Sequence, residues 1–63
     1  MFVGDITDVY CGHVIIGTST ETGGMNALYN SIKDGGDVPF DLCFMKVECL
    51  CANGSVLEIY VEG

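Results

Sequence analysis

Apolar residues near the N-terminus cluster in the run His13-Val14-Ile15-Ile16, after two smaller patches at Phe2-Val3 and Val9-Tyr10. Three consecutive β-branched residues are typical of a strand that is buried on both faces. Gly12 precedes the run and is a candidate position for a bulge. The pattern predicts a strand here. It leaves open whether residues 2–7 form a second strand, part of one long bent strand or a loose hairpin.

A helical spacing follows, because Met25, Leu28, Tyr29 and Ile32 stand at i, i+3, i+4 and i+7. Residues 18–22 supply side-chain oxygens that can cap a helix start, and Gly35-Gly36 can supply a left-handed end. We therefore expect an amphipathic helix over residues 25–32.

Residues 41–63 predict a C-terminal β-hairpin. A two-residue Asn53-Gly54 turn would mix polar and apolar residues on both faces. A three-residue loop over residues 52–54, with Gly54 in a G1 bulge, separates them and is preferred. It gives an inner face of Cys43, Met45, Val47, Cys49, Cys51, Leu57, Ile59 and Val61. The outer face is then Phe44, Lys46, Glu48, Leu50, Val56, Glu58, Tyr60 and Glu62.

The simplest fold for these elements is α+β, a small β-α-β-β domain spanning residues 1–63. The helix packs on a three-stranded, mainly antiparallel sheet that ends in the C-terminal hairpin. A helical crossover makes the first and second strands parallel. If the last strand lies between them, both of its pairings are antiparallel.

The chain has 63 residues, of which 49% are apolar, so a folded domain is expected rather than disorder. A domain of this size buries only roughly 60% of the surface of its unfolded chain. Such domains often need a covalent link or a partner subunit, and a homodimer is one possibility.

The chain has nine acidic residues and only two lysines, which gives a formal net charge of −7. Nucleic acids and anionic membranes are disfavoured partners, because both are bound through Lys or Arg. A basic protein surface is favoured. The simpler interpretation is that the acidic residues keep a small protein with a high apolar content soluble.

The four cysteines and His13 suggest a metal site, but Cys49-x-Cys51 and Cys11-x-His13 lack the usual ligand spacing. In the preferred register Cys43, Cys49 and Cys51 are core residues. His13 has no acid or nucleophile at catalytic spacing. We therefore predict no metal, no cofactor and no enzymatic activity.

The candidate partner-binding residues combine acids with aromatic rings. The preferred register sets Glu48 directly opposite Glu58, a like-charge pair that should destabilise a sheet and so indicates function. More acids precede the hairpin. The candidate set is Glu48, Glu58, Glu62, Tyr60, Phe44, Asp34, Asp37 and Asp41.

The N-terminal residues have none of the features of a signal peptide, and no apolar run approaches the ~20 residues of a membrane helix. A cytoplasmic protein is expected, with its thiols reduced.

Short length, strong acidity and the absence of a catalytic set resemble the phage-encoded inhibitors of CRISPR–Cas complexes, several of which are nucleic-acid mimics. This resemblance implies a cytoplasmic, non-enzymatic inhibitor that acts as a DNA mimic on a basic surface of a Cas subunit. Two alternatives remain. One is a structural or assembly module, or a homodimer, that uses the outer face of the hairpin. The other is a cysteine-based metal or redox module.

Overall fold

The β-branched run at Val14 forms a central strand of a mixed four-stranded sheet. A computed structural model describes residues 1–62. Its elements are α1 (Val3–Thr7), β1 (His13–Ser19), β2 (Met25–Asn30), α2 (Phe40–Cys43), β3 (Val47–Asn53) and β4 (Val56–Val61). The predicted α+β class and the C-terminal hairpin are confirmed.

The strands lie in the order β2-β1-β4-β3. β4 lies between β1 and β3, as predicted, and two of the three pairings are antiparallel. The β1–β4 pairing, however, is parallel. The antiparallel prediction for this pair is wrong because an extra strand, β2, reverses the chain once more before the hairpin.

The helix predicted over residues 25–32 is wrong, because Met25–Asn30 forms strand β2 against β1. The preceding loop closes as a hairpin, with Thr20 N–H donating to Gly24 O at 3.0 Å and Gly23 at a φ of +86°. Strand pairing satisfies backbone groups along one side of β1, which a helix would leave without partners. Ile32, expected on the helix, lies in the following turn and is exposed.

Residues 2–7 form none of the three extended structures considered, since Val3–Thr7 is helical. The Asp5 carboxylate accepts the Phe2 N–H at 2.9 Å and so caps the first turn. A second short helix, α2, begins after Pro39. Phe44 and Met45 therefore lie between α2 and β3 rather than on a strand.

The hairpin pairs Asn53 with Val56, so its turn is Gly54-Ser55. The predicted three-residue loop is wrong, although Gly54 does adopt a positive φ of +64°. The ladder also shifts between Val47 and Cys49. Since a one-residue slip exchanges the two faces of a strand, Leu50 pairs with Ile59 on the inner side, and Cys49 and Cys51 turn outwards.

The core lies between the inner face of the sheet and the two helices. Leu42 of α2 and Met45 pack at its margin. Its buried members are Val3, Ile6, Val14, Ile16, Tyr29, Ile59 and Val61. Both helices lie on this one side, so the opposite side of the sheet, here called the outer face, is left open.

Candidate functional site

Strand β4 presents a row of polar side chains on the outer face. Glu58, Tyr60 and Glu62 alternate with Leu57, Ile59 and Val61, as the sequence predicted. Glu62 directly follows the last residue of β4. Positions four apart on extended backbone are separated by about 13 Å, which is the expected spacing of Glu58 and Glu62 along the row. Glu58 and Tyr60 are half-buried and Glu62 is exposed. The row therefore offers two carboxylates with a phenol between them.

Glu48 joins this row from β3. It lies where the β3–β4 ladder shifts, and its Oε1 accepts a hydrogen bond from Ser19 Oγ at 3.3 Å. Ser19 ends β1, on the far side of β4. The Glu48 side chain thus reaches across the end of β4 and brings a third carboxylate towards Glu62.

The predicted opposition of Glu48 and Glu58 is wrong. Cys51 is the partner of Glu58 on β3, and Ile15 is its partner on β1. The like-charge pair that sequence reasoning took as a mark of function is therefore absent from the ladder. What remains on this face is the open row of acids itself.

The predicted burial of Cys49 and Cys51 is also wrong, because both are exposed on the outer face. Partial desolvation raises the pKa of the Cys49 thiol above its ordinary value, and the nearby Cys51 and Glu48 add to the rise. Cys43 is half-buried, with its Sγ 3.9 Å from Val38 O.

Tyr60 stays a neutral phenol well into the alkaline range. Partial desolvation raises its pKa above the ordinary value, and the Glu58 carboxylate adds to the rise, followed by Cys51 and Cys49. Its hydroxyl therefore remains available both to donate and to accept a hydrogen bond at neutral pH.

A glycine shapes the middle of this face. Gly17 is the β1 partner of Tyr60, and a Cβ at Gly17 would lie 2.6 Å from Met25 Cγ and 2.5 Å from Asn26 O. The missing side chain lets Met25 lie across the sheet. Sequence reasoning missed this contact because it placed Met25 on a helix.

The other four predicted site residues do not join the row. Asp34 accepts the Asn30 N–H at 2.8 Å and so holds the turn after β2. Asp37 lies in the connection that leads to α2, and Asp41 lies in the first turn of α2. Phe44 follows α2. The Phe44 ring contacts Phe40 edge to face, with ring centroids 4.8 Å apart.

A second acidic and aromatic surface therefore lies on the helical side of the molecule. It is a cleft of about 310 Å³ between the two helices. Sequence reasoning missed Phe2, Phe40, Asp5 and Asp8 as part of a site, because it placed residues 2–7 and 40–43 outside helices. The recognisable signals were Asp5 three residues after Phe2, which is capping spacing, and Pro39 before Phe40.

Metal-binding groups are dispersed over the described chain. Residues 1–62 contain no group of three or more His, Cys, Asp or Glu side chains that could hold a metal ion. His13 Nε2 lies 2.9 Å from Asn30 Oδ1. Since an amide oxygen only accepts, this ring nitrogen carries a hydrogen, and the contact ties the start of β1 to the end of β2.

No helix within residues 1–62 is long and apolar enough to cross a membrane. No family model matches the chain, and neither the curated proteins nor the solved structures include a match to it.

Proposed function

We propose that this protein is a non-enzymatic acidic binding protein that blocks a basic nucleic-acid-binding surface of a target protein. A CRISPR–Cas effector subunit in the host cytoplasm is the target class that its resemblance implies. The observation that carries the proposal is the row of Glu58, Tyr60 and Glu62 on an open sheet face, joined by Glu48.

The row supports competition with nucleic acid through charge and geometry. A net charge of −7 creates a field of one sign that accelerates encounter with a basic groove. Carboxylates at Glu48, Glu58 and Glu62 can then accept charge-assisted hydrogen bonds from the lysines and arginines that normally hold phosphates. Because both occupants need the same cations, binding of this protein excludes the nucleic acid.

The rigid sheet distinguishes this arrangement from a disordered acidic tail. Both neighbours of β4 pair with it along its length, so the backbone that carries Glu58 and Tyr60 is fixed before binding. Glu62 follows the strand, and its N–H donates to Lys46 O at 3.4 Å. Little conformational entropy is then lost on association, which favours affinity.

A displacement assay tests the proposal. Labelled target DNA is bound to purified CRISPR–Cas effector complexes of several types, and the protein is added at increasing concentration. We expect release of DNA from at least one type and weaker release by the variant Glu58→Lys/Glu62→Lys. The matched control is Glu21→Lys, a charge reversal in the β1–β2 loop. Equal potency of the two variants, or no release from any type, would contradict the proposal.

An assembly module is a second candidate, favoured by the free edge of β3. Every residue of this edge strand except Val47 is exposed. An exposed edge offers unpaired backbone groups to another strand. Sedimentation equilibrium combined with amide hydrogen exchange distinguishes the two functions. A tight dimer in which the amides of residues 49–53 are more protected than in the monomer would favour assembly.

A further inference from the structure

The cleft between α1 and α2 combines three aromatic rings with two carboxylates. Phe2, Phe40 and Phe44 supply the rings, and Asp5 and Asp8 supply the acids. The helices approach closely here because of Gly4, where a Cβ would lie 3.3 Å from Cys43 O. The cleft faces away from the outer face of the sheet, because both helices lie on the inner side.

The rings are unusually accessible. Phe40 is 75% exposed and Phe44 is 64% exposed, although the core of the described chain has only seven buried side chains. A phenylalanine brings a large apolar area, and leaving two of them in water forgoes stabilisation that a small domain needs. Their edge-to-face contact, with an interplanar angle of 75°, orients the two rings in different directions.

The carboxylates determine the charge of the ligand that the cleft can bind. Asp5 lies in α1 and Asp8, three residues on, is its C-cap with a helical backbone, so the two share one side of the helix. One oxygen of Asp5, Oδ2, accepts the Phe2 N–H at 2.9 Å, which holds this carboxylate beside the Phe2 backbone. An anion would be repelled here. A purely apolar ligand would desolvate the carboxylates without compensation.

We propose that this cleft holds an arginine side chain of a basic partner protein. A guanidinium group stacks on aromatic faces and pairs with carboxylates through its planar set of donors. Lysine fits less well, because its ammonium is a compact and strongly hydrated charge. The proposal rests on the proposed function for the presence of a basic partner, and it adds an anchor on the face opposite the β4 row.

Titration of the isotopically labelled protein with N-acetyl-arginine amide, followed by amide chemical shifts, tests the site itself. We expect saturable shifts at Gly4, Asp5, Asp8 and Phe44. The uncharged isostere N-acetyl-citrulline amide should produce much smaller shifts at the same residues. The exposed substitutions Phe44→Ala and Asp8→Asn should each weaken arginine binding, by between about 2-fold and about 30-fold.

Equal shifts with citrulline, no saturable shifts with arginine, or shifts confined to β4 would overturn the proposal. Once a target is found by DNA displacement, Phe40→Ala/Phe44→Ala is compared with Glu58→Gln/Glu62→Gln. If only the glutamate variant loses affinity, the anchor is wrong and the proposed function stands. If neither variant loses affinity, both proposals fail.

Discussion

Glu58 lies directly opposite Cys51 across the β3–β4 ladder, whereas Glu48 lies where the ladder shifts, nearer the other end of β3. The two glutamates are therefore not a cross-strand pair. Their carboxylates lie on the same surface but not opposite each other. Repulsion between them therefore costs the sheet little stability.

This arrangement predicts additive effects of neutralising the two residues. In Glu48→Gln, Glu58→Gln and the double variant, we expect a coupling energy below about 0.3 kcal/mol in urea unfolding. Directly opposed like charges are in contact across the ladder and would instead couple by about 0.5–1 kcal/mol. A clearly larger coupling, with the double variant gaining less stability than the sum, would contradict the register.

Gly17→Ala should destabilise the sheet. The added Cβ would meet Asn26 O at 2.5 Å, and this is backbone that cannot rotate away. Crowding of this kind costs about 1–3 kcal/mol of unfolding free energy. Gly24→Ala is the matched control, because its nearest neighbour is Thr20 Oγ1 at 3.4 Å. Equal urea midpoints for the two variants would argue against the β1–β2 contact.

Native thiol reactivity separates the two hairpin registers. Cys11, Cys49 and Cys51 are exposed and Cys43 is half-buried. At a pH above the raised pKa of Cys49, so that accessibility and not ionisation sets the rate, we expect a disulfide reagent in excess to modify three thiols before the fourth. Peptide mass should identify Cys43 as the slow one. In the register predicted from sequence, Cys43, Cys49 and Cys51 would all react slowly. Protection of Cys49 and Cys51 would therefore refute the outward placement.

The raised pKa of Cys49 predicts a pH-dependent reaction that Glu48 controls. Since the thiolate is the nucleophile, alkylation of Cys49 should be slow at neutral pH and should rise on the alkaline side of the ordinary thiol range. Glu48→Gln removes one cause of the shift and should move the rate profile to lower pH. Fragment-ion mass spectrometry resolves Cys49 from Cys51, and Glu21→Gln is the control. An unchanged profile in Glu48→Gln would contradict the proximity of the carboxylate.

The same shifts have a consequence for stability. A thiol or phenol whose pKa is higher in the folded state than in the unfolded state favours folding while it is protonated in both. Cys49 and Tyr60 therefore contribute fully below their ordinary pKa values. Their contribution is lost as the pH rises through the higher folded values. We expect the urea midpoint to fall on the alkaline side, with Tyr60→Phe reducing the fall at the highest pH.

The sequence predicts part of this fold because some patterns allow only one interpretation. The β-branched run at Val14–Ile16 correctly predicted a strand, and the alternation from Leu57 to Val61 correctly sorted the faces of β4. Burial of the first strand on both faces was wrong, because Ile15 lies on the open outer face and is half-buried. The spacing from Met25 to Ile32 was ambiguous, since a strand with an irregular register can carry the same apolar residues. Only the need of β1 for a partner, a long-range effect, decides it.

The candidate site was predicted in part for the same reason. Glu58, Tyr60 and Glu62 are on one face whatever the register of β3, because their alternation is local. The places of Glu48, Cys49 and Cys51 depend on one shift in the ladder, which the sequence does not mark. Phe44 was assigned to a strand and lies instead beside Phe40 on the helical side.

The central claim is tested most directly on an effector complex from which the protein releases DNA. The affinity of the protein for this complex is measured at low and at high salt. We predict that affinity falls steeply with salt and that Glu58→Gln/Glu62→Gln binds more weakly with a shallower salt dependence, while Glu21→Gln matches the wild type. An affinity that is independent of salt and unchanged in the Glu58→Gln/Glu62→Gln variant would contradict the claim that the β4 row binds a basic surface.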